Sequence, residues 1–83
     1  MAYCYILQCS DGSYYTGWTF NLARRIKKHK SGRGARYTRQ RLPVRLVYFE
    51  MLLDRSAAMK REREIKKLGH KQKMDLIQGF NGG

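Results

Sequence analysis

Ser10-Asp11-Gly12-Ser13 is the stretch that most limits how this chain can fold. It is a turn signal set between two runs rich in aromatic and aliphatic residues, Tyr3 to Cys9 and Tyr14 to Trp18. Such runs around a tight turn read as a β-hairpin. The turn type then decides which side chains share a face, because side chains alternate along a strand. A two-residue type I′ turn at Asp11-Gly12 pairs Gln8 with Tyr15 and sends Tyr5 and Tyr15 to opposite faces. A three-residue loop, Ser10-Asp11-Gly12, with Gly12 left-handed in a G1 bulge, pairs Leu7 with Tyr15 and Tyr5 with Gly17. Both tyrosines then lie on one face, which a shared site requires. We expect the second register.

Downstream, Phe20-Asn21 leads into a helix from about Leu22 to Lys30, closed by Ser31-Gly32. Residues Gly32 to Pro43 read as a loop, and Val44 to Leu52 as a third strand. Asp54-Arg55-Ser56 offers caps for a helix running to about Leu68. Gly69 breaks it, and a short last helix covers roughly Lys71 to Gln78. The order ββαβαα predicts an α/β fold, a three-stranded antiparallel-type sheet flanked by helices. One domain is expected over residues 1–83, with its core at about 2–78 and a frayed tail at 79–83, ending Asn81-Gly82-Gly83.

The charge is the second constraint. Eighteen basic residues face six acidic ones, a formal net charge of +12. Self-repulsion of that size is relieved by a polyanion, so nucleic acid is the expected partner, DNA before RNA, with steep salt dependence. No apolar run is long enough to span a bilayer, and no helix sets a clean apolar face against a lysine face, so no membrane partner is expected. Met1-Ala2-Tyr3-Cys4 carries neither a charged leader nor a cleavage site, which predicts a cytoplasmic protein. Cys4 and Cys9 are separated by an odd number, point to opposite faces of one strand and cannot bridge within it.

Six carboxylates limit the metal chemistry. Asp11 suits the turn, Asp54 a cap, and Asp75 the first turns of the last helix; Glu64 has basic neighbours within helical reach. Glu62 falls between Ala58 and Ile65 on the stripe that faces the sheet. Two roles fit it: an ion pair with Lys66 one turn on, or a ligand for one hard divalent cation. Arg25 flanks the core side of the first helix, where a guanidinium can grip a phosphate in two places, although a basic surface residue has the same pattern. His29, one turn further, fits a proton donor, a phosphate contact or a buried structural histidine. Tyr5 and Tyr15 are weak bases at an ordinary tyrosine pKa of about 10, which cations nearby can lower. Arg24 and Lys28 extend the basic surface. Arg33, Arg36, Arg39 and Arg41, with Tyr37 among them, suit a surface that tracks a strand while a base stacks on the ring.

Taken together these residues resemble the GIY-YIG nuclease superfamily, specifically its small stand-alone bacterial members. Tyr3-Cys4-Tyr5 stands where GIY would be, and Tyr15-Thr16-Gly17 where YIG would be. Arg25 takes the place of the helix arginine and Glu62 that of the metal-binding glutamate. Gly34-Ala35-Arg36-Tyr37-Thr38 also looks like the small bacterial branch. The resemblance implies metal-dependent cleavage of DNA phosphodiesters with one Mg²⁺ or Mn²⁺, in repair or recombination. Tyr5 or Tyr15 would activate the water, Arg25 would bind the scissile phosphate, Glu62 would hold the ion, and Gly17 would allow close approach of substrate or helix. The chain departs from the pattern at Tyr3, Cys4 and Thr16, and Trp18 stands where some repair nucleases of the family carry lysine. A nucleic-acid-binding module of the same fold without turnover is the alternative.

Overall fold

The computed structural model describes residues 1–82. Strands β1 (Ala2–Gln8) and β2 (Tyr14–Thr19) form the hairpin, and β3 (Arg45–Leu52) pairs with the other edge of β1. The sheet order is β2-β1-β3, and both pairings are antiparallel. The α/β architecture is the expected one, with helices on both faces of a three-stranded sheet. A bulge between Ile6 and Leu7 skips Val47, so Ile6 faces Tyr48 while Leu7 faces Leu46. Val47 and Tyr48, adjacent in sequence, consequently pack into the same apolar cluster.

Helix α1 (Leu22–Lys30) starts where the Asn21 side chain accepts from the Arg24 N–H at 3.0 Å. Its last turn is Lys27, Lys28, His29 and Lys30, positive charge where the helix dipole is negative. The segment expected to be a plain loop contains a single helical turn, α2 (Arg36–Arg39). Four residues are too few to show helical periodicity, so only tertiary contacts could reveal it. Helix α3 (Arg55–Lys66) is capped by Asp54, which accepts from the Ala57 N–H at 2.9 Å. Helix α4 (His70–Gly82) is longer than the short last helix expected, and it includes residues 79–82 of the expected tail. Gly83, and the side chains of residues 81 and 82, lie outside the described residues.

The sheet separates two apolar layers. On one face Tyr5, Leu7, Cys9 and Val44 meet Ile26, with Leu22 and Tyr15 at the margin. On the other, Cys4, Ile6 and Tyr48 meet Ile65 of α3, with Leu68, Leu76 and Ile77 packed against them. Cys4 and Cys9 are free, buried and in different layers, as the odd spacing requires. No helix among the described residues is long and apolar enough to cross a membrane.

Candidate active site

The hairpin takes the three-residue loop. The Cys9 N–H bonds the Ser13 carbonyl at 2.9 Å, the Gly12 N–H bonds the Cys9 carbonyl at 3.0 Å, and Gly12 has φ +84°. That left-handed value is what a glycine supplies without strain. Asp11 accepts from the Ser13 backbone, and the bonds to Ser13 hold its carboxyl below the usual carboxylate range, with Arg41 adding to the effect. Leu7 pairs with Tyr15 and Tyr5 with Gly17, so both tyrosines share the α1 face.

Gly17 makes this pairing possible in a way the resemblance did not suggest. A Cβ on Gly17 would lie 2.6 Å from the Tyr5 hydroxyl oxygen and 3.3 Å from Cε2 of Tyr15. The space a side chain would need is filled by the phenol opposite, rather than by a helix.

Tyr5 is 1% exposed and its hydroxyl meets Nε2 of His29 at 2.8 Å. His29 is fully buried, and its Nδ1 meets Oγ1 of Thr38 at 2.8 Å. The direction of the chain follows from its far end. The Thr38 hydroxyl donates to the Ala35 carbonyl at 2.9 Å, so its one proton is used. Thr38 therefore accepts from Nδ1–H of His29, which leaves Nε2 as the acceptor for the Tyr5 hydroxyl. Burial lowers the His29 pKa below its ordinary value, and the Arg25 and Lys28 charges lower it further. The imidazole is thus neutral, with its tautomer set by Thr38.

Burial also raises the pKa of both phenols. For Tyr5 it is followed by Tyr15, with Arg25 pulling the other way and Glu62 pushing up. For Tyr15 burial is followed by Glu62, again opposed by Arg25. Arg25 is exposed on α1, yet its charge reaches both tyrosines and His29. Glu62 comes from the opposite layer, on α3, which packs against β1 and β2. Its carboxylate is felt at Tyr5, Tyr15 and Cys4.

Glu62 forms the ion pair with Lys66 that was one of its two expected roles, at 3.7 Å, a separation too long for a good hydrogen bond. Glu50, the other acidic group whose charge reaches Cys4, is taken up by Arg61 at 2.9 Å and by the Tyr48 hydroxyl. Of these two, Glu62 is the carboxylate with oxygens to offer. Among the described residues no three His, Cys, Asp or Glu side chains gather into a metal-holding group. A single half-buried carboxylate is a donor set that fits a hard divalent ion completed by water and phosphate oxygens.

The basic residues divide into two groups. Arg24, Lys28, Arg33, Arg36 and Arg39 are exposed and belong to no ion pair among the described residues. Arg41 and Tyr37 are otherwise engaged. Arg41 bonds Asp11 at 3.1 Å, donates to the Tyr37 carbonyl, and places its guanidinium 3.8 Å over the Tyr37 ring. Tyr37 also stacks on Tyr15, centroids 6.0 Å apart. The ring expected to receive a base therefore has Arg41 and Tyr15 against it and remains 37% exposed.

Thr38 and Gly34 were missed as site residues. A Cβ on Gly34 would lie 2.3 Å from Nδ1 of His29, so the glycine lets the segment lie against the imidazole. The signal was present: Gly34-Ala35 interrupts a run of arginines with two residues that cover little and pack closely.

Comparison with known proteins identifies the family. Residues 1–75 match the model of the GIY-YIG catalytic domain. A UPF0213 protein of Clostridium perfringens is 57% identical over 77 residues, covering 93% of this chain and 83% of its own. One from Syntrophus aciditrophicus is 50% identical, covering 90% of this chain and 87% of its own. The solution structure of a UPF0213 protein from Bacillus halodurans superposes with a TM-score of 0.60 at 49% identity, over 94% of this chain and 84% of that one.

Proposed function

The chain belongs to the GIY-YIG catalytic-domain family, and on that premise we propose that it is a divalent-metal-dependent endonuclease acting on DNA, in repair or recombination, in the cytoplasm. The observation that carries this reading is the register that puts Tyr5 and Tyr15 on one face, where the charges of Arg25 and Glu62 both reach them.

Each residue has a distinct task in this reading. Arg25, exposed at the margin of the tyrosine face, grips the scissile phosphate and offsets the charge that builds on it. Tyr15 is half-buried and is the phenol with access to solvent, so it orients the attacking water; to act as its base it first releases its own proton to solvent, a loss that the Arg25 charge favours. Tyr5 is sealed from solvent and acts as a positioning residue, its proton directed into His29. His29 and Thr38 hold that proton and keep the floor of the site neutral and dry. A Mg²⁺ or Mn²⁺ held by Glu62 would supply positive charge at the phosphate and cancel the carboxylate's hold on the phenol protons. The exposed Arg24, Lys28, Arg33, Arg36 and Arg39 bring the strand to the site by charge alone.

Labelled single-stranded, duplex and branched DNA incubated with Mg²⁺ or Mn²⁺ tests the reading. Wild type should yield products, while Glu62→Ala, Arg25→Ala and Tyr15→Phe each cut at least about a hundredfold more slowly, the loss typical of a group that stabilises transition-state charge. Equal cleavage by wild type and Glu62→Ala would discard the site. Binding without products from any of them would make the chain a nucleic-acid-binding module of the same fold.

A further inference from the structure

Beside Arg25, at the free edge of β2, a cleft of about 450 Å³ opens between two unlike walls. Arg24, Arg25 and Lys28 of α1 form one wall, and Trp18 and Phe20 the other. The two rings meet edge to face, with centroids 5.2 Å apart and planes at 89°. Phe20 is 60% exposed, and the Arg55 guanidinium of α3 stands 5.8 Å above the Trp18 ring. No carboxylate among the described residues lines the cleft.

This combination narrows the occupant. A purely cationic wall would take any phosphate, and a purely apolar one would take a protein side chain. An exposed aromatic ring opposite three cations that form no ion pair among the described residues matches a nucleotide, which carries a flat base at one end and an anion at the other. The base must be unpaired, because in a duplex both of its faces are already stacked.

We propose that this cleft is a nucleobase subsite: the exposed Phe20 ring, braced at right angles by Trp18, stacks an unpaired base of the strand whose adjoining phosphate lies at Arg25. It rests on the nuclease reading only for the position of that phosphate. The cleft extends the substrate track past the cleavage position and selects single-stranded or frayed DNA over intact duplex. It also gives the aromatic at position 18 a task, and it sets the base against Phe20, the more exposed of the two rings.

Trp18 is the only tryptophan in the chain, so its fluorescence reports the cleft directly. Wild type in EDTA is titrated with a short labelled oligodeoxythymidylate, an abasic oligomer of equal length, and a duplex of equal phosphate count. Binding is followed independently by anisotropy. The oligodeoxythymidylate should quench Trp18 emission by half or more, while the abasic strand binds and leaves the emission near its starting value. Phe20→Ala, at an exposed position, should weaken binding of the base-bearing strand roughly 5- to 150-fold, the range for one stacked base, and leave the abasic affinity unchanged. Equal quenching by abasic strand or duplex, or an unchanged affinity in Phe20→Ala, would overturn the subsite. Since no metal and no cleavage enter this measurement, the two readings fail separately. Quenching without cleavage leaves the subsite and removes the nuclease; cleavage without quenching does the reverse.

Discussion

On one face of the sheet Tyr5 gives its hydroxyl proton to a neutral imidazole, and on the other Tyr48 gives its proton to Glu50, a carboxylate that Arg61 also holds. Both tyrosines are buried, both rings belong to an apolar cluster, and both hydroxyls are satisfied. The networks differ in charge. The Tyr48 network is a closed ion pair: Arg61 donates to both oxygens of Glu50 at 3.1 and 2.9 Å, and Glu64 stands 3.5 Å from the same guanidinium. Burial, followed by Glu50, pushes the Tyr48 pKa up to about 12, so its proton stays in place. The Tyr5 network has no formal charge and runs in one direction, from hydroxyl to imidazole to hydroxyl to the Ala35 carbonyl. Its middle member is the one side chain type that titrates near neutrality when unperturbed. A closed ionic network holds α3 against β3; a neutral directional one can respond when a proton or a phosphate arrives beside it.

The comparison is broken most readily by removing the two hydroxyls in turn. Tyr5→Phe leaves Nε2 of His29 buried without a donor, which should cost about 1–3 kcal/mol of stability. Cleavage should also slow by at least about tenfold, the effect of roughly 1.4 kcal/mol of lost placement. Tyr48→Phe leaves Glu50 still paired with Arg61, so the stability loss should be smaller, about 0.5–1.5 kcal/mol, with cleavage unchanged. Urea melts of both variants beside cleavage rates measure the contrast; equal slowing by the two substitutions would erase it.

Acid should also separate the networks. The folded-state pKa of His29 lies below its ordinary value of 6.5, so the unfolded chain takes up that proton first as pH falls. Stability from this group is therefore complete above about pH 6.5 and lost below it, down to the lowered folded value, with a slope of up to about 1.4 kcal/mol per pH unit for one proton. Melts of wild type and His29→Gln between pH 7.5 and 5 test this, and a slope that survives the substitution would assign the effect elsewhere.

A third buried hydroxyl sharpens the point because it has no network. Thr16, opposite Ile6 on the α3 face, keeps Oγ1 buried with no hydrogen-bond partner among the described residues. Thr16→Val replaces that group by a methyl of the same shape, and should raise stability by up to about 1 kcal/mol. A lower melting temperature in the variant would mean that the hydroxyl is satisfied in solution.

Much of this was legible in the residues. Asp11-Gly12 between two aromatic runs marked the turn but suited both turn types, and the bulged loop was expected because a shared tyrosine face requires it. That loop brought Tyr5 and Tyr15 to one face through strand periodicity alone. The apolar stripe of α1, the caps at Asn21 and Asp54, and Glu62 on the sheet-facing side of α3 are likewise local features. Contacts between distant segments were decided only in three dimensions. The sequence could place His29 beside the core, but its tautomer depends on Thr38, nine residues on, and its partner is Tyr5, twenty-four residues back. Tyr37 and Arg41 read as ligands for a strand, and only the fold shows that Arg41 also holds Asp11 and that Tyr37 lies against Tyr15. Period and turn chemistry are written along the chain, whereas the satisfaction of buried polar groups depends on which residues meet across it.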